Sequence, residues 1–188
     1  MSAPPIVKAT LQAAVINASS NVMAQAITAY RTQKPFRLDV TSLVQFTTCA
    51  VILTPLTYLW INNLESAFPA FSNEDHQQPK KTDEKGDGKK NQKLNIKNTV
   101  AKVVLDQTVG AALNTVLFLT TMGILRGQDS NAVLNSIRND FWPIMIAGLK
   151  MWPLASILCF TVVPHDKRLL VGSLFGFVWA IYLSLMSN

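Results

Sequence analysis

The fold of this chain is decided by its C-terminal stretch, Trp152–Ser184, which reads WPLASILCFTVVPHDKRLLVGSLFGFVWAIYLS. The stretch is as hydrophobic as a membrane segment, yet it contains two prolines, Pro153 and Pro164, and an arginine, Arg168. Hydrocarbon penalises broken backbone and unpaired charge, so such residues persist only where protein or the membrane interface accommodates them. The stretch therefore predicts a polytopic membrane protein.

The composition of the whole chain agrees with this prediction. Of its 188 residues, 49% are hydrophobic and 15% are charged, whereas soluble domains average about 25% charged residues. Twelve of the 28 charged residues lie between Asn73 and Lys97. We therefore expect one membrane domain over residues 1–188, in which 73–97 is a charged, disordered linker.

The hydrophobic runs predict an all-α bundle. The expected helices are helix one from about Ile6 to Tyr30, helix two from Val40 to Leu64, helix three from Asn98 to Leu125, helix four from Phe141 to Val163 and helix five from Leu169 to Met186. About 20 apolar residues cross a bilayer, so helices one, two, three and five are predicted to be transmembrane. Helix four, interrupted by Pro143 and Pro153, is expected to be a kinked fifth membrane segment. A short amphipathic helix over Asn131–Asp140 is expected to lie in the interface.

Polar and charged side chains inside these helices are the candidate functional residues. The pore or intramembrane polar candidates are Asn17, Asn21, Gln25, Asp106, Gln107, Lys150 and Arg168. Such side chains either line a solute path or form hydrogen bonds between helices, each contributing about 0.6–2 kcal/mol. The sequence leaves both interpretations open.

Three of these charges carry specific expectations. Lys102 and Asp106 are four residues apart and could pair along one helix face. Lys150 is expected to snorkel or to face the bundle interior. Arg168 is expected to contact either Asp106 or the carbonyls left free near Pro164.

Several other function classes are disfavoured by the sequence. The net charge of +6 is spread over loops and forms no basic stripe with aromatic residues, so nucleic-acid binding is not expected. The cysteines, Cys49 and Cys159, lack metal-ligand spacing. No catalytic constellation or phosphate loop is visible, so we expect no enzyme, cofactor or metal site. The N-terminus has no signal or transit pattern, so the first helix is expected to remain in the mature protein.

The chain resembles the Mpv and twenty-two-kilodalton peroxisomal membrane protein family. The resemblance rests on Asp106-Gln107, on Trp152-Pro153 followed by Phe160, Val163-Pro164 and Arg168, and on the closing Trp179, Tyr182, Leu183 and Ser184. The positions with an expected structural role are Pro55, Trp60, Trp152, Pro153, Phe160, Pro164, Trp179, Tyr182 and Ser184.

The resemblance implies an integral protein of an organelle membrane, either the peroxisomal membrane or the mitochondrial inner membrane. It also implies a small-solute channel or a role in metabolite homeostasis. The alternative is a non-conducting structural or assembly subunit of a larger membrane complex. The implied partners are the lipid bilayer and other membrane-protein subunits or a second copy of the chain.

Two glycines four apart, Gly172 and Gly176, are expected to form a close-packing face.

This sequence departs from the family pattern at several polar positions. Ser20-Asn21 stand where Gly-Asp is usual, Thr54 replaces a Gly, Tyr58 a His, and Ala112 a Pro; Ser156 and Cys159 stand at positions usually occupied by Gln and Asn. The interior of this bundle is therefore expected to be less polar than the family pattern.

Overall fold

The computed structural model describes residues 4–69, 71–72, 93–164 and 167–186, which form an all-α bundle as predicted. Its helices are α1 (Pro5–Arg31), α2 (Val40–Ala67), α3 (Ile96–Leu105), α4 (Ala111–Leu125), α5 (Ser130–Gly148), α6 (Trp152–Thr161) and α7 (Arg168–Met186). A π-helical turn, Asp106–Gly110, joins α3 to α4 without a break. Two short strands, β1 (Phe71–Ser72) and β2 (Lys93–Leu94), pair antiparallel.

Most of the predicted charged linker, residues 73–92, lies outside the described residues. Its predicted end at Lys97 is wrong, because β2 and the first turn of α3 already occupy that part of the chain. The Asn95 side chain accepts a hydrogen bond from the Asn98 backbone N–H and caps α3. An asparagine cap satisfies one of the unpaired amides at a helix start, so the helix begins directly after it.

Helix α1 packs along both α2 and α7. Its buried positions are Ala13, Ser20 and Asn21, and small side chains at such positions let neighbouring helices approach closely. The helix ends in a left-handed turn at Gln33, whose φ is 54°. The Lys34 amide then donates to the Ala29 carbonyl at 3.0 Å, which satisfies a carbonyl left free at the helix terminus.

A side-chain clamp joins α1 to the start of α2. Gln25 donates from Nε2 to the Asp39 carbonyl at 3.1 Å and accepts from the Asp39 amide at 2.7 Å. Asp39 itself caps α2 by accepting from the Ser42 amide at 3.0 Å. The clamp therefore fixes the point at which the second helix begins.

Two helices are long and apolar enough to cross a membrane within the described residues: α2 and the continuous span Ile96–Leu125. Helices α5 and α6 meet the same criterion only as a pair, bent by 57°. The predicted total of four transmembrane helices is not confirmed. Helix α1 has 27 residues but a polar interior, and α7 contributes the shorter apolar segment Leu170–Trp179.

The predicted boundary between an interfacial helix and helix four is wrong. The chain stays helical from Ser130 to Gly148, through Pro143, and breaks only at 149–151. Pro153 is the second residue of α6, not an irregularity within a helix. Proline is favoured in a first helical turn because the amide it lacks would have no partner there.

The Gln25 clamp yields a stability prediction. Replacing Gln25 by leucine removes two hydrogen bonds across the hairpin and should destabilise the fold by about 1–2 kcal/mol. The expected result is a lower apparent Tm in detergent micelles. Gln12→Leu is the matched control, because Gln12 is exposed on the same helix. An equal Tm for the two variants would contradict the assignment of a clamp.

Candidate functional site

A buried ion cluster joins α2, α3 and α7. Glu65, near the end of α2, accepts from Lys102 Nζ at 2.9 Å and from Arg168 Nη1 through the same oxygen, Oε2. The side chains of Lys102 and Arg168 are 0% and 4% exposed, and that of Glu65 is 23% exposed. Two cations from separate helices thus share one carboxylate.

The backbone between α6 and α7 supplies a further partner for the arginine. Arg168 Nε donates to the Val163 carbonyl at 3.3 Å. That carbonyl follows the end of α6 at Thr161, where helical partners run out. The predicted contact of Arg168 with a carbonyl near Pro164 is confirmed. Its contact with Glu65 was missed because helix two was expected to end at Leu64.

A second polar cluster surrounds Asp106. Ser156 Oγ donates to Asp106 Oδ2 at 2.6 Å, and Trp60 Nε1 donates to Asp106 Oδ1 at 3.2 Å. Gln107 Nε2 lies 3.1 Å from Asp106 Oδ2 and 2.7 Å from Ser156 Oγ. The carboxylate is therefore held by side chains from α2, α6 and its own helix.

The π-helical turn shapes the backbone at this carboxylate. The Ala111 amide donates to the Asp106 carbonyl five residues back, which is the bonding pattern of a π-turn. Such turns are rare and occur frequently at functional sites. An added Cβ at Gly110 would lie 2.6 Å from Trp60 Nε1. Only glycine therefore leaves room for the indole beside Asp106.

The two clusters lie on one face of α3. Thr99, Lys102 and Asp106 follow each other at spacings of three and four, the spacing of one helix face. Thr99 and Lys102 are buried. The two charged residues could have paired with each other along the helix; the structure instead places Lys102 against Glu65 and Asp106 against Ser156, Gln107 and Trp60.

The other predicted polar candidates lie elsewhere. Asn17 donates to the Ala13 carbonyl of its own helix at 2.8 Å, and Asn21 accepts from Gln25 at 2.8 Å. These side chains therefore form hydrogen bonds within α1, and Asn21 contacts the Gln25 of the clamp. Lys150 is exposed at the bend between α5 and α6. The expectation that it faces the bundle interior is wrong, because the helix breaks there, and the snorkelling alternative stays a prediction.

The family-motif positions serve mainly to pack the C-terminal helices. The rings of Trp152 and Trp179 approach within 6.4 Å between centroids, so they join α6 to α7. Trp60 donates to Asp106 and so joins α2 to the π-helical turn. Pro55 lies inside α2 and Pro164 between α6 and α7. The side chains of Phe160, Tyr182 and Ser184 lie outside the described part of the structure.

Metal binding finds no support in the described part of the chain. No group of three or more His, Cys, Asp or Glu side chains there is placed to hold an ion. The observed contacts place a hydrogen-bonded carboxylate, Asp106, beside the buried ion cluster.

Removal of the shared carboxylate should weaken the bundle. Glu65→Gln leaves Lys102 and Arg168 buried without the negative charge they contact, which should cost about 3 kcal/mol, since breaking a buried ion pair costs about 3–5 kcal/mol and Glu65 is partly exposed. We expect a large fall in apparent Tm in detergent. Asp140→Asn removes the same charge from an exposed position of α5 and should change the Tm little. Equal Tm values for the two variants would contradict a stabilising role for the cluster.

The close approach at Gly110 gives a matched pair of glycine variants. Gly110→Ala should displace Trp60 from Asp106 and destabilise the bundle by about 1–3 kcal/mol, as overpacking does. Gly172→Ala introduces the same methyl group where nothing lies within 4 Å. Tryptophan fluorescence during thermal unfolding measures both. An unchanged Gly110→Ala variant would show that the indole can move at little cost.

Comparison with known proteins shows which family and which relatives this chain is similar to. A family model described as the Mpv17 / PMP22 family matches residues 123–184. PXMP2/4 family protein 3 of Dictyostelium discoideum is 28% identical, over 100% of this chain and 87% of the relative. Protein sym1 of Schizosaccharomyces pombe is 25% identical over 96% of this chain and 84% of its own length. The Mpv17-like protein of Bos taurus is 29% identical over 68% of this chain and 53% of its own.

No solved structure matches the chain. The family model covers the C-terminal motif residues, and the relatives from Dictyostelium and Schizosaccharomyces align along nearly the whole chain. The chain is a helical membrane protein whose sequence is similar to the Mpv17 / PMP22 family.

Proposed function

We propose that the chain forms a pathway for small polar solutes across an organelle membrane, either peroxisomal or mitochondrial inner, and that Asp106 controls it. The observation that carries this proposal is the position of the Asp106 carboxylate inside a helix span long enough to cross a membrane. Ionisable side chains are costly in such spans and mark solute or ion pathways. We propose no catalytic step for these residues.

The depth of Asp106 supports this assignment. The span Ile96–Leu125 has 30 residues, which at about 1.5 Å per residue is about 45 Å long. A hydrocarbon core of about 30 Å centred on this span begins about 7 Å from either end. Asp106 is ten residues from Ile96, or about 15 Å along the axis. It therefore lies inside the hydrocarbon layer, whereas Lys102 lies near its boundary.

The chemistry around Asp106 suits small polar solutes. A carboxylate, a hydroxyl and an amide meet within 3.1 Å of one another at Asp106, Ser156 and Gln107. These groups both donate and accept hydrogen bonds, so a polar solute can exchange with them without losing all its partners. The nearby cations, Lys102 and Arg168, are balanced by the carboxylates of Glu65 and Asp106, so the two clusters together favour small polar solutes without a large net charge.

The second candidate function is a non-conducting assembly subunit. It is favoured by the glycine pair on α7: an added Cβ at Gly172 or Gly176 would meet nothing within 4 Å. The close-packing face expected at these glycines therefore has no close neighbour within the described residues. A face of this kind is suited to packing against a helix of another subunit.

The test is single-channel conductance of the purified chain in a planar bilayer. Asp106→Asn removes the charge and keeps the shape, and should change the unitary conductance or the ion selectivity. Arg168→Gln removes one of the nearby cations and should shift the anion-to-cation permeability ratio. Asp140→Asn, an exposed charge on α5, is the matched control and should conduct like the unmodified chain.

Two results would contradict the solute pathway. One is a silent bilayer from protein whose folding is verified by its thermal transition. The other is conductance that Asp106→Asn and Asp140→Asn alter equally. The silent bilayer would favour the assembly role, which predicts that Gly172→Ile lowers the recovery of co-purified subunits or of crosslinked dimer.

A further inference from the structure

A surface groove runs between α1 and α2 on residues that neither polar cluster uses. Its volume is about 420 Å³. It is lined by Ala18, Ser19, Val22, Met23, Ala26 and Leu43. The wall on α1 is made mostly of small side chains, which creates a depression between the two helices. The lining from Ala18 to Ala26 extends for about 12 Å along the helix axis.

The groove begins where α2 starts. Leu43 lies in the first turn of α2, and the Gln25 clamp to Asp39 holds that turn against α1. Because α2 is long and apolar enough to cross a membrane, its first turn lies near the membrane boundary. The groove therefore extends from the membrane boundary toward the hydrocarbon layer. The acyl chain of a lipid extends in the same direction.

The loop at this end of the groove combines cations with exposed apolar side chains. Lys34 and Arg37 are exposed. Between and beside them, Tyr30, Phe36 and Leu38 are 80%, 51% and 43% exposed. Aromatic and aliphatic side chains in the interface with lysine and arginine at the phosphate level are the pattern of a surface that contacts anionic lipid.

We propose that this groove and loop bind one anionic phospholipid. An acyl chain lies between α1 and α2 against Ala18, Ser19 and Ala26, and the phosphate contacts Lys34 and Arg37. The groove supplies the apolar contact and the loop supplies the charge, so the two observations indicate the two parts of a single ligand. This site is independent of the proposed solute pathway.

The test is native mass spectrometry of the full chain in detergent micelles containing equal amounts of phosphatidylglycerol and phosphatidylcholine. We expect one retained lipid, with phosphatidylglycerol preferred. The double variant Lys34→Gln/Arg37→Gln should lower that preference by about fivefold for each cation removed. Lys97→Gln/Arg138→Gln removes the same charge from exposed positions on α3 and α5 and should leave the preference unchanged.

A groove variant tests the acyl-chain contact separately. Ser19→Leu fills the groove and should lower retention of both lipids, whereas Ser66→Leu, at an exposed position near the other end of α2, should not. Equal retention of the two lipids by the unmodified chain would overturn the proposal. So would an equal loss of preference in the Lys97→Gln/Arg138→Gln control, or a dimer that Ser19→Leu dissociates, which would show that a second copy occupies the groove.

Discussion

The bundle depends on the single carboxylate of Glu65. Lys102 is fully buried and Arg168 nearly so, and both contact Glu65 Oε2. Desolvation of each ion costs several kcal/mol in a protein interior, and contact with this carboxylate offsets part of that cost for both cations. The cluster also fixes the relative position of three helices, because α2, α3 and α7 each contribute one member.

The register of α2 against α3 follows from the same contact. Glu65 pairs with Lys102, and Trp60 donates to Asp106. Trp60 and Glu65 are five residues apart on α2, or about 7 Å along its axis. Lys102 and Asp106 are four residues apart on the facing span, or about 6 Å along its axis. The two contacts are therefore compatible with one antiparallel register. A shift of either helix by one turn would break both.

The π-helical turn marks the point where the long span changes its packing partners. Nine residues separate Asp106 from Thr115, which in an unbroken α-helix is about two and a half turns, so the two would lie on opposite faces. The structure uses both faces: α3 packs against α6, and α4 packs against α5 and α2. The charged side chains of the span, Lys97, Lys102 and Asp106, lie in its first half, and the buried face of the second half combines Thr115 with the apolar Leu119 and Met122.

The sequence was sufficient to predict the helical class, most helix positions and the carbonyl contact of Arg168. These depend on local properties: apolar runs, prolines and caps. It was insufficient for Glu65, whose importance depends on the pairing of α2 with α3 and α7, contacts separated by 37 and 103 residues. It also placed Asn17, Asn21 and Gln25 with Asp106 in one candidate set. Spacing along α1 shows that these amides share a face, but it does not show that Asp39 lies opposite Gln25.

The break between α5 and α6 is the part of the fold that best reconciles a satisfied polar cluster with the passage of a solute that we propose. Helix α6 has ten residues, between the bend at 149–151 and Pro164. It contributes Ser156 to Asp106 through a 2.6 Å hydrogen bond. Irregular backbone at membrane depth is tolerated only where protein buries it or where it lines a water-filled cavity. A short helix with breaks at both ends can shift as a unit, and its C-terminal end is tied to the ion cluster by the hydrogen bond from Arg168 to the Val163 carbonyl. In the proposed pathway, movement of α6 would take Ser156 from Asp106, and a solute hydroxyl or amide would take its place.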